Sequence, residues 1–82
     1  MRIVWDEPKR LANLAKHGMD FAGLEEEFFE SVTVVPANDG RSIAVGRHLG
    51  SIIVVVFAPL GREAISVISM RPASRSERNL VR

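Results

Sequence analysis

The chain has 82 residues, 46% of them hydrophobic, enough for one small core and no second one. It contains no cysteine, which excludes disulfides, thiolate nucleophiles and cysteine-ligated zinc, and fits a reducing compartment. The net charge is only +1, yet residues 1–40 hold four basic and eight acidic groups while residues 41–82 hold seven arginines and two glutamates, so an anion-binding surface is expected to draw on the second half.

The opening MRIVWDEPKR lacks the apolar core of a secretory leader, and the longest apolar run, SIIVVVFAP, is too short to span a bilayer. A soluble, cytoplasmic domain covering residues 1–82 is expected, with no membrane association. RIVW is a short strand candidate, after which Asp6 can cap a helix whose first turn holds Glu7 and Pro8. Leu11, Leu14 and Ala15 make one apolar stripe on it. Gly18 is the natural left-handed terminator, with Lys16 and His17 in the last turn beside the helix's partial negative end. That position alone accounts for a Lys-His pair as helix punctuation; a chemical role is the alternative.

Asp20 can cap a second helix in which Phe21, Leu24 and Phe28 share a face, while Glu25, Glu26 and Glu27 point largely to solvent and do not converge on a metal. From residue 31 the period switches to β: SVTVV, SIAVGRHL, SIIVVVFA and EAISVISM are β-branched and separated by PANDG, Gly50 and PLGR. The pattern predicts an α+β fold, a four-stranded antiparallel meander, with RIVW available as a short extra N-terminal strand, packed with two N-terminal helices and one short C-terminal helix. SRSE at 74–77 is a capping box that starts the last helix, carrying Arg75, Arg78 and Arg82.

The terminal MRPASRSER sets Arg71, Arg75 and Arg78, with Arg82 beyond them, against one glutamate. Arginine presents a planar, permanently charged fork matched to phosphate oxygens, so this corner suits a phosphodiester; a merely solubilising tail is the competing reading. Glu77 suits either capping or proton transfer. His48 has no second histidine at ligand spacing, HExxH is absent, and neither a metal nor a cofactor is expected. No Ser-His-Asp set or glycine-rich phosphate loop is legible. RNA carries its own nucleophile, the 2'-OH, so aligned basic groups and one proton carrier could cleave it.

WDEPKRLANLAKHGMDF, followed by strands ending ISVISMRPASRSER, resembles the BrnT family of bacterial toxins across nearly the whole chain. The first anchor, W-D-x-x-K-x-x-x-N-x-x-K-H-G-x-x-F, falls on Trp5, Asp6, Lys9, Asn13, Lys16, His17, Gly18 and Phe21. The second falls on Ile68, Ser69, Arg71, Ala73, Ser74, Glu77 and Arg78. The resemblance implies a RelE-like ribonuclease toxin, inhibited by a BrnA-like antitoxin that also binds operator DNA. Many family members carry a tyrosine after the terminal Glu-Arg; this chain has none.

The expected catalytic set is His17, Lys16, Arg71, Glu77 and Arg78, with Lys9, Arg41, Arg47 and Arg75 as RNA contacts. The arginines of the closing strand and last helix are expected to meet the tail of the first helix in a single pocket. The alternative is a binding module without catalysis, docking nucleic acid or protein through its unequal halves.

Overall fold

The computed structural model describes residues 1–81. In chain order it contains β1 (Arg2–Trp5), α1 (Glu7–His17), two 3-10 turns (Phe21–Gly23 and Glu26–Glu30), β2 (Thr33–Pro36), β3 (Ser42–His48), β4 (Ser51–Leu60), β5 (Ala64–Pro72) and α2 (Arg75–Arg78). The sheet is five-stranded in the order β1-β5-β4-β3-β2. It is not the four-stranded antiparallel meander expected, because β1 joins it parallel to β5, pairing Arg2 with Ala64 through Trp5 with Val67. No local pattern announces that pairing of the two chain ends. Arg82, expected on the last helix, lies outside the described residues.

The second expected helix is also replaced, by the two 3-10 turns separated by extended backbone at Leu24 and Glu25. Glycine at position 23 disfavours continuation, and the Asp20 carboxylate accepts from the Ala22 N–H at 2.9 Å, closing a tight turn instead. The buried residues are nonetheless those the spacing selects: Phe21, Leu24 and Phe28 pack with Ala44, Ile53, Val55, Phe57, Ile65, Val67 and Met70. In β3, Gly46 makes room for them, since a Cβ there would stand 2.6 Å from Val32 Cγ1 and 3.3 Å from the Phe28 ring.

β5 changes phase partway along. Phe57 pairs with Val67 but Val56 pairs with Ser69, so Ile68 is an extra residue with no partner in β4. Before the bulge Ile65 and Val67 face the core; after it Met70 does, and Ser69 and Arg71 turn to the opposite face. Directly opposed residues share a face, which puts Thr33, Val45, Val54 and Arg71 in one row there. Val45 and Val54 are buried in that row, and at its end the Thr33 hydroxyl donates to the Leu80 carbonyl of the returning C-terminal segment at 3.1 Å.

α1 contradicts simple amphipathic packing. Leu11 is 53% exposed and Leu14 36%, while the residue it buries is Asn13. Polar bonds set the helix's rotation: Asn13 reaches β5, and Arg10 binds Glu7 and Asp20. At about 100° per residue, Leu11 and Ala15 lie roughly 160° from Asn13 around the helix.

Gly46→Ala is expected to lower stability by about 1–3 kcal/mol through overpacking against Val32 and Phe28. A urea midpoint unchanged from the parent would refute the close packing of Gly46.

Candidate functional site

α1 is well delimited at both ends. The Asp6 carboxylate accepts from the Lys9 N–H at 3.3 Å, and Gly18, at φ 68°, donates its N–H to the Leu14 carbonyl. Asn13 then fixes the helix against the sheet. Its Oδ1 accepts from the Met70 N–H at 3.1 Å and from the Ser69 hydroxyl at 3.4 Å, and its Nδ2 donates to the Met19 carbonyl at 3.0 Å. Beyond Val67, where β1 has ended, Asn13 therefore supplies the acceptor that a neighbouring strand would have supplied to Met70.

This setting opens a cavity of about 390 Å³ between α1 and β5. Lys9, Lys16 and His17 line it from the helix, Arg41 from the chain entering β3, and Ser69 from β5 beside the bulged Ile68. No carboxylate is among the lining residues. Four basic side chains thus face one space that no carboxylate lines among the described residues, an arrangement that favours an anion.

The second anchor builds a different structure. Arg71 donates Nη1 to Glu77 Oε1 at 2.7 Å and Nη2 to Oε2 at 2.8 Å, a two-pronged ion pair. Glu77 also accepts from the Ser74 N–H at 2.8 Å, while Ser74 Oγ accepts from the Glu77 N–H, completing the capping box. The Arg71 guanidinium, helped by the Ser74 N–H, holds the Glu77 carboxyl down at about 2, and Glu77 in turn raises the Arg71 pKa. Glu77 is therefore ionised at neutral pH and carries no proton to give.

The expected single pocket is divided. Lys9, Lys16, His17 and Arg41 meet in the cavity just described. Arg47 and Arg78 instead line a separate cavity of about 380 Å³ at the β3–β4 turn. Arg71 is engaged with Glu77 and lines neither, and Arg75 is exposed on α2. α2 is only one turn long, too short to project three arginines toward α1. His48 lies edge-on to Phe28, with ring centroids 6.1 Å apart. Among the described residues no group of three His, Asp or Glu side chains could hold a metal ion.

Residues 5–77 match the family profile described as the ribonuclease toxin, BrnT, of type II toxin-antitoxin systems. The chain belongs to the BrnT family. Its fold is similar to the 1.1 Å crystal structure of the Brucella abortus ribonuclease toxin, BrnT, with a TM-score of 0.86 and 56% identity over 92% of this chain and 99% of that one. No curated protein matches.

In this BrnT chain, reading the sequence picked out the basic side chains of the cavity but gave no role to Asn13 or Ser69. A polar residue on the side of α1 away from its leucines was the available signal for Asn13. The bulge that presents Ser69 had a weaker one: in ISVISM, strict alternation from Ile65 and Val67 would bury Ser69 and expose Met70.

The Glu77 carboxyl, ordinarily near 4.5, sits near 2 in the fold. A depressed carboxyl stabilises the folded state above its unfolded value, and that contribution disappears as pH falls from about 4.5 toward 2. Denaturant midpoints are expected to drop across this window, and Glu77→Gln should fall less steeply, leaving the slope due to Glu7, which Arg10 holds at about 2, and to Asp20, which the Ala22 N–H and Arg10 also hold down. Parallel acid limbs for parent and variant would contradict this. Asn13→Leu, which strands the Met70 N–H and the Met19 carbonyl, is expected to cost about 1–3 kcal/mol per stranded group, read by thermal or urea unfolding.

Proposed function

We propose that this chain is a metal-independent, RelE-like endoribonuclease that cuts cytoplasmic RNA and so arrests translation and growth. The observation that carries the reading is the cavity between α1 and β5, lined by Lys9, Lys16, His17 and Arg41 with no carboxylate. A scissile phosphate held there meets basic groups that no carboxylate among the described lining residues offsets. The neighbouring 2'-oxygen attacks phosphorus, the new O–P bond forms as the bond to the 5'-oxygen breaks, and the chain is left with a 2',3'-cyclic phosphate and a free 5'-hydroxyl.

In this mechanism Lys9, Lys16 and Arg41 stabilise the charge that builds on the phosphoryl oxygens. His17 moves the proton from the 2'-hydroxyl to the departing 5'-oxygen, because an imidazole nitrogen can accept one and give one back. Glu77 positions Arg71 rather than titrating, and Arg71 braces the strand end that presents Ser69. A BrnA-like antitoxin would neutralise the toxin by covering the basic cavity, and contact with operator DNA would come only through the complex.

One observation favours a second reading, a binding module without catalysis: Arg71 and Glu77, two of the expected reacting groups, are occupied with each other. Incubation with RNA in chelator separates the two. Cleavage leaving 2',3'-cyclic phosphate ends is expected, with Lys16→Ala and His17→Ala each reducing kcat at least about 100-fold while the thermal transition is retained. Salt-sensitive RNA binding with no cleaved product would instead establish the binding module, and products with 3'-hydroxyl ends would overturn the role of the 2'-oxygen.

A further inference from the structure

We infer that the cavity lined by Arg47 and Arg78 is a second phosphate site, one that grips the backbone of single-stranded RNA several nucleotides from the bond being cut. The inference rests on the ribonuclease reading above and adds a length requirement to the substrate. Arg47 stands on the outer face of β3, opposite Ile52, and Arg78 ends the single turn of α2. Ser51 and Ala73 complete the walls between them, and among the described residues no carboxylate lines the space of about 380 Å³.

Two permanent positive charges facing one void repel each other unless an anion joins them. Neither guanidinium has a carboxylate partner among the described residues, and both side chains are exposed. Glu77, one residue before Arg78, is the obvious acid to neutralise the pair. Its two oxygens are instead taken by Arg71 and by the Ser74 N–H. The capping box and the Arg71 ion pair thereby keep the only acid of α2 away from this cavity, and Glu25 and Glu27, which share a neighbouring cavity with Arg47, form no ion pair with it among the described residues.

The site suits binding rather than chemistry. Its charged groups are both arginines, which do not exchange protons at neutral pH, and the planar fork of each matches a phosphate edge. It shares no lining residue with the cavity of Lys9, Lys16, His17 and Arg41. Along β3, the five steps from Ser42, next to Arg41, to Arg47 cover about 17 Å. One phosphate cannot serve both cavities; a stacked strand advancing about 3.4 Å per nucleotide spans the gap in about five. Arg78, expected from the sequence to act on the reacting phosphate, is thus assigned to a distant one.

The experiment compares a mixture of all dinucleotides with a random-sequence 12-nucleotide RNA bearing a 5' fluorophore, using the full chain and its Arg47→Ala, Arg78→Ala and double variants. The double variant is expected to lower the ratio of kcat/KM on the 12-mer to that on dinucleotides about tenfold, through KM. The slope of 12-mer affinity against salt should flatten by about 0.7 for each phosphate contact removed. Equal losses on both lengths, or a fall in kcat at constant KM on either, would return Arg78 to the reacting centre and overturn the proposal. If the parent cleaves neither RNA, the ribonuclease reading fails on its own, and fluorescence anisotropy decides the site: an unchanged salt slope in the double variant rejects it, a flattened one supports it.

Discussion

The arrangement of this molecule depends on how one amide, that of Asn13, is hydrogen-bonded. Exposed Leu11 and Leu14 show that α1 is not seated by its apolar stripe, although burying a leucine is worth about 1.5–3 kcal/mol. The three bonds of the Asn13 side chain, with Arg10 gripping Asp20, outweigh that gain and rotate the helix so that Asn13 faces β5. Lys9, Lys16 and His17 lie within about 60° of Asn13 around the axis, so the same rotation aims them at the sheet. Turning the leucines inward would carry the basic groups out to solvent. The helix forgoes hydrophobic burial, and a cationic cavity results.

The sheet contributes the opposite wall through a second departure from regularity. A β5 without the Ile68 bulge would have to choose between burying Val67 and exposing Ser69 and Arg71. With it, the strand first feeds Ile65 and Val67 into the core and then, one residue out of step, presents Ser69 to the cavity and Arg71 to Glu77. The Arg71–Glu77 pair in turn ties α2 to the end of β5. An ion pair that looks from sequence like two reacting groups is, in three dimensions, a bracket between the last strand and the last helix.

What the sequence discloses and what it conceals follow from range. Asp6, Gly18, Ser74 and Glu77 act over a few residues, and the caps they form can be read directly. The four long β-branched runs and their turns are likewise local, as is the burial of Phe21, Leu24 and Phe28. The pairing of β1 with β5 and the grip of Asn13 on Met70 link residues about sixty apart, and no periodicity encodes them. The two 3-10 turns were obscured because spacing by three suits either kind of helix and only the Asp20 carboxylate and Gly23 decide. At the site, residue type identified the basic groups, but their division between two cavities depends on the length of α2 and the phase of β5.

The parallel contact between β1 and β5 joins two strands about sixty residues apart, with the other three made between them. Arg2 waits for Ala64, and Asn13 for Met70, so a growing chain cannot seat α1 against the sheet until β5 exists. Any product truncated before residue 69 lacks Ser69 and the strand that backs it. The connectivity thus defers assembly of the cationic cavity until the fifth strand has been made, long after the helix that supplies most of its charge.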